Sequence, residues 1–289
     1  NPASHSLAEA LLTINFQEFR QFCDKIFQAI SLEVLVHGNW REQDARKIET
    51  VIKQTFTQQC HQQHQVDIAV LDIYGKGNIE VPLLLPEHDH ASVLYYPMPE
   101  RSLLSTAQAM IVSQLLSPPF FHSMRTEKQY GYLVGVGFVP INRYPGLAFY
   151  IQSPKFSASE LTVAMDEFIN HCALSIEQMP EQDWQHLQQG LAGQLQERDT
   201  SLRIRSQRFW SAICNKETDF KQKQRLIDII LSLKKSDIVD FIQQHLTTEQ
   251  QPDRFALSSV KQLNAEQHKL IDINGFKLPE LLKNCSIKY

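Results

Sequence analysis

The chain has 289 residues, of which 43% are hydrophobic and 21% charged, with only 10 Gly and 13 Pro. This globular profile excludes collagen-like, disordered and disulfide-scaffold classes, and at roughly 150 residues per domain the length fits two domains. With 28 Lys+Arg against 32 Asp+Glu the net charge is −4, so no global basic field gathers phosphates and nucleic acid is not an expected partner.

From Ser6 to Ile30 apolar residues recur at spacings of three and four, which predicts one long helix or two short ones broken near Asn15. Leu32 to Asn39 is rich in β-branched residues and closes on Gly-Asn, the pattern of a short buried strand. A helix is expected from Arg41 to about Gln59, with Ala45, Ile48, Val51, Ile52 and Phe56 on one face. These elements are too few to close a core and look like the end of a domain. The chain begins with Asn1 rather than Met, and the expectation is that something upstream has been removed. Between Cys60 and Gly77 the pattern dissolves into Gln and His, and a domain boundary is expected there.

Two strand-like runs follow, Ile79 to Leu85 and Ala91 to Tyr96. A helix is predicted from Leu103 to Leu116, stopped at Ser117, with Pro118-Pro119 opening a second helix over Phe120 to Lys128. Gly131 to Pro140 and Gly146 to Ser153 alternate about Asn142-Arg143-Tyr144-Pro145, the signature of paired antiparallel strands. Helices are then expected at about 159–178, 181–197, 202–214, 220–231 and 236–245, with a last strand over Arg254 to Val260 and a polar tail. Strands first and helices afterwards predict an α+β fold, a largely antiparallel sheet covered on one face by helices. The division expected is residues 1–77, 78–260 and a tail over 261–289.

Five scattered cysteines, never as Cys-x-x-Cys, predict free thiols. No apolar run approaches roughly 18 residues, so no membrane association is expected. His61-Gln62-Gln63-His64 and His88-Asp89-His90 have spacings that could align imidazoles on one face. No His-Glu-x-x-His or His-x-x-Glu-His occurs, so solvated histidines are the plainer reading and no metal is expected to bind. The densest polar cluster is Met124-Arg125-Thr126-Glu127-Lys128-Gln129-Tyr130-Gly131-Tyr132. Arg125 near a helix end and Tyr132 at a strand start suit carbonyl chemistry, since a guanidinium binds a carbonyl or carboxylate and a phenol donates to an oxyanion. From periodicity alone the plainer reading is a capping Arg and a half-buried Tyr.

The stretch from Leu116 to Val134 resembles the C-terminal-half motif of the pitrilysin and insulin-degrading-enzyme (insulinase) family, Phe-x-x-Leu-Arg-Thr-x-x-Gln-Leu-Gly-Tyr-x-Val. Leu35-Val36-His37-Gly38-Asn39, Tyr95-Tyr96 and Gly146-Leu147-Ala148-Phe149-Tyr150-Ile151-Gln152-Ser153 support it in order, with Met124 and Tyr130 standing where the motif has Leu. The resemblance implies a zinc metalloendopeptidase of four related α+β domains that encloses its peptide substrate. Residues 1–77 would then end the third domain and 78–260 form the fourth, whose Arg125 and Tyr132 bind substrate. Tyr132 would be catalytic, helping to stabilise the oxyanion. Zinc would be held by the N-terminal half of the same polypeptide, and this fragment alone would be inactive. A non-catalytic scaffold of the same family is the alternative, and a stand-alone hydrolase using His61, His64, His88 or His90 a remote third. The compartment is left open between cytoplasm and periplasm, with free thiols leaning toward the reducing one.

Overall fold

The computed structural model describes residues 4–26, 32–56, 70–84, 88–217, 219–261 and 287–288. In chain order they form α1 (Ser4–Thr13), α2 (Phe16–Ile26), α3 (Glu42–Phe56), β1 (Val70–Leu71), β2 (Asn78–Leu84) and β3 (His90–Pro97). Next come α4 (Leu103–Phe121), a π-helical turn His122–Glu127, β4 (Leu133–Phe138), β5 (Gly146–Ser153), α5 (Ala158–Glu177) and α6 (Glu181–Gln196). The series ends with α7 (Leu202–Cys214), α8 (Gln222–Ser232), α9 (Lys235–His245), β6 (Arg254–Val260) and β7 (Ile287–Lys288).

Two compact units result. The first joins the N-terminal helices to Arg198–Phe220, a stretch that lies within the 78–260 segment. The break near Asn15 is a reciprocal cap: the Glu18 N–H donates to Asn15 Oδ1 at 2.9 Å and the Asn15 N–H donates to Glu18 Oε2 at 3.1 Å. Residues 32–37 are not a strand, contrary to expectation. That segment lies along α7, with His37 Nδ1 2.8 Å from the Ser206 hydroxyl, its ring edge-on to Phe209, and Glu33 paired with Lys216. The apolar run itself is not buried, since Leu32 and Val34 are exposed and Leu35 and Val36 half-buried, and the segment is tied to its neighbours through Glu33 and His37 instead.

The second unit is the α+β layer expected. Its five-stranded sheet has the order β2-β6-β3-β5-β4, antiparallel except for the β2–β6 pair, while β1 pairs with β7 separately. Alternation decides which side is buried. Leu94 and Tyr96 of β3 and Leu147, Phe149 and Ile151 of β5 point under the helices, against Ile111, Leu116 and Phe120 of α4 and Leu161, Met165 and Ile169 of α5. Serine caps start both helices: Ser102 accepts from the Ser105 N–H, and Ser157 forms a capping box with Glu160.

The helix expected to stop at Ser117 instead runs through Pro118 and Pro119 to Phe121, and the second helix expected over Phe120 to Lys128 is a continuation with a π-helical turn. Each proline removes a backbone donor and strains the preceding turn. Against that, Phe120 is fully buried, edge-on to Phe149 at 5.6 Å and to Phe168 at 5.1 Å, and Met124 one turn on is also fully buried. Burial of these two side chains carries the chain past the break. The β4–β5 hairpin is as read: Ile141 and Tyr144 exchange hydrogen bonds of 2.9 Å around Asn142 and Arg143, both at positive φ.

Candidate active site

The widened turn after α4 sets the site. The Lys128 N–H reaches the Ser123 carbonyl at 2.9 Å, and the Tyr130 N–H reaches the Met124 carbonyl at 2.8 Å across Gln129, which takes a left-handed φ of 53°. Buried Met124 anchors this turn from below, and Tyr130 is held edge-on to Phe156 at 4.8 Å. Gly131 then passes so close to β5 that a Cβ there would lie 1.8 Å from the Gln152 carbonyl oxygen. Only glycine permits this approach, and it fixes where Tyr132 leaves the turn to enter β4.

Arg125 and Tyr132, the pair expected to serve carbonyl chemistry, are in direct contact. Arg125 Nη1 donates to the Tyr132 carbonyl at 3.1 Å, and the guanidinium carbon stands 5.7 Å from the Tyr132 ring centroid. On its other side it stands 5.1 Å from the ring of Phe121, one helical turn earlier. Sequence reasoning passed over Phe121, although its i, i+4 spacing from Arg125 was a usable signal. Tyr132 is 80% exposed, so the half-buried Tyr of the plainer reading is not what the structure has. The cluster is otherwise charged but loosely tied, with His122 3.3 Å from Glu127 and Lys128 3.9 Å from Glu167. Chemically it presents one cation and one phenol, side by side and open to solvent, with the guanidinium held by a carbonyl and two rings.

Two cavities lie in the sheet unit, the first reaching this cluster at Ser123, Lys128 and Glu167. One of about 370 Å³, between α4 and α5, is walled by Leu116, Pro119, Phe168 and Cys172, whose thiol burial pushes up to about 12. The other, about 710 Å³, lies at the far end of β4 beside Tyr95, Tyr144 and Phe255. Burial pushes the Tyr95 phenol up to about 12, and its hydroxyl donates to the Val139 carbonyl at 3.1 Å. Among the described residues no group of three or more His, Cys, Asp and Glu could hold a metal ion. His90 opens β3 and His88 lies in the bend before it, while His61 and His64 fall outside the described residues. No described helix is long and apolar enough to cross a membrane.

Comparisons with known proteins agree with the fold and the motif. Residues 111–210 match the family described as PQQ synthase PqqF-like, C-terminal lobe domain 4. The chain is 25% identical over 252 residues to human insulin-degrading enzyme, covering 84% of this chain and 24% of that one. It is 33% identical over 124 residues to coenzyme PQQ synthesis protein F of Pseudomonas protegens, covering 43% of this chain and 15% of that one. Among solved structures pitrilysin superposes with a TM-score of 0.80 at 18% identity, over 100% of this chain and 31% of pitrilysin. The chain thus spans about a quarter of the length of the curated relatives it matches. In sequence and in fold the chain is thus similar to the C-terminal lobe of the insulinase/pitrilysin (M16) peptidases, and the matched stretch includes Arg125 and Tyr132.

Proposed function

We propose that this chain is the C-terminal portion of a zinc-dependent endopeptidase that degrades peptides in an enclosed chamber. Residues 1–77 would close a third peptidase-type domain, 78–260 form the fourth, and 261–289 a tail. The observation that carries this reading is the contact of Arg125 with Tyr132, on the turn that also bears the family motif. Arg125 is steadied by the Tyr132 carbonyl and the Phe121 ring, and its remaining N–H donors would bind a peptide carbonyl next to the bond to be cut. The Tyr132 hydroxyl would donate a hydrogen bond to the oxygen on which negative charge develops, a contact stronger in the transition state than in the bound substrate.

The described residues of this chain do not fit a zinc site. In this proposal the metal and its activated water belong to the N-terminal half of the same polypeptide, and this chain by itself cleaves nothing efficiently. The test is Tyr132→Phe in the enzyme containing both halves. Turnover should fall about 10²–10³-fold with KM little changed, the signature of an oxyanion donor. Unchanged turnover would remove Tyr132 from the chemistry and favour the non-catalytic scaffold.

A further inference from the structure

Strand β4 lies at the end of the sheet and, among the described residues, pairs only with β5. The Val139 N–H donates to the Gly146 carbonyl at 2.8 Å, and Ile141 exchanges bonds with Tyr144. By the alternation of an antiparallel ladder, the residues numbered oddly turn their main-chain groups toward β5. Val134, Val136 and Phe138 therefore present their N–H and C=O groups outward, away from the sheet. Tyr132, one residue before the strand, continues this outward set, and its carbonyl is the one Arg125 holds. The guanidinium thus stands at the end of the row, where the next strand would lie.

Sheet edges are ordinarily guarded by charges, prolines or bulges. Leu133–Phe138 carries none of these, and its only nearby proline, Pro140, comes after the last outward residue. The side chains exposed at its two ends, Leu133 and Val139, are apolar. A second copy of this chain laid antiparallel on the edge would bring its own Val139 and Pro140 to Arg125, with no negative charge to meet the guanidinium. A peptide running antiparallel brings its carboxyl-terminal end there, where the charges are complementary.

We infer that the outward edge of β4 binds an extended peptide as an added antiparallel strand, its carboxyl-terminal end, the end that a cut beside Arg125 leaves, meeting that guanidinium. This rests on the peptidase reading above and deepens it by naming a peptide-binding surface and its polarity. Main-chain bonds to Val134, Val136 and Phe138 would hold the peptide with little regard to its sequence.

The test is fluorescence anisotropy on the 289-residue chain, with a labelled hexapeptide of alternating valine and serine bearing a free carboxylate. N-methylation of one alternating set of its amides should weaken binding about fivefold or more, while methylation of the other set changes it less than about twofold. Amidating the carboxyl terminus should weaken binding for the unaltered chain but not for Arg125→Ala. Val136→Pro, which removes an outward N–H and no bond to β5, should weaken binding while circular dichroism stays unchanged. Equal losses for both methylated sets, no binding at millimolar peptide, or sedimentation as a dimer that Val136→Pro dissolves would each overturn the inference. None of these readouts depends on turnover. A register effect with normal turnover in Tyr132→Phe leaves the edge standing without the catalytic role, and the reverse result leaves the catalytic role without the edge.

Discussion

At the scale of single residues, the most demanding contact in the sheet unit is Arg254, the first residue of β6, which is only 6% exposed. Its guanidinium grips both oxygens of Asp166 on α5, donates to the Tyr96 hydroxyl at 2.8 Å and reaches Asn78 Oδ1 on β2 at 2.8 Å. Burial pushes the Tyr96 phenol well above its ordinary value, so it stays protonated beside the cation. Removing one partner strands the other charge, and Asp166→Ala should cost about 3–5 kcal/mol in urea denaturation. Gly131→Ala, forced against the Gln152 carbonyl, should cost about 1–3 kcal/mol and displace Tyr132. Solvent-exposed Cys214 should be alkylated at once at pH 8, whereas buried Cys172, its thiol held protonated, should be labelled only as the protein opens. Labelled peptides identified by mass spectrometry would separate the two. At this scale the Arg125–Tyr132 pair was legible because the motif carries both residues at fixed offsets. The Arg254 cluster was not, because nothing in the local sequence tells a strand-edge arginine that its partner lies 88 residues away.

At the scale of elements, α4 shows how packing overrides punctuation. Pro118-Pro119 argues for a break, and the reading that respected it was locally sound. What it could not weigh was the slot between Phe149 and Phe168 that receives Phe120. Phe120→Ala should therefore cost about 3–5 kcal/mol. It should also loosen the turn under Arg125, seen as faster amide exchange at Lys128 and Tyr130. The end of α9 supplies a pH response. His245, tilted against Phe241, has its pKa lowered by burial, with Asp253 opposing. Its unfolded form therefore takes up a proton at a higher pH than its folded form. Its contribution is present above the unfolded value of about 6.5 and is lost as pH falls through the folded value. The thermal stability of the native chain should then fall below about pH 6.5 more steeply than that of His245→Gln. Where turn chemistry was strict the hairpin was read correctly, as at Asn142-Arg143, while at Asn15 the structure has the two short helices of the two alternatives. Leu32 to Asn39 misled because an apolar run does not say whether it is buried, and Leu32 and Val34 stay exposed.

At the scale of the whole sheet unit, the layer class followed from the grouping of strands before helices, but the strand order did not. β6 inserts between β2 and β3, with Val93 opposite Leu257 and Val81 opposite the same residue on the other side. Pairings across so many residues leave no trace in local periodicity. A chain truncated before Arg254 loses a central strand rather than an edge. It should show a collapsed far-ultraviolet spectrum and no dispersed amide resonances, whereas truncation after Lys261 should leave the sheet's spectrum intact.

The position of β6 also bears on how the protein is made. A ribosome delivers β3, β4 and β5 early, and these three can pair as soon as they emerge. The flank of β3 destined for β6 then stays bare while roughly a hundred further residues are threaded out, for on the order of ten seconds at ordinary elongation rates. Over that interval the nascent sheet is open at both sides, at β3 and at β4, and among the described residues only the opening at β3 is closed as the chain is completed.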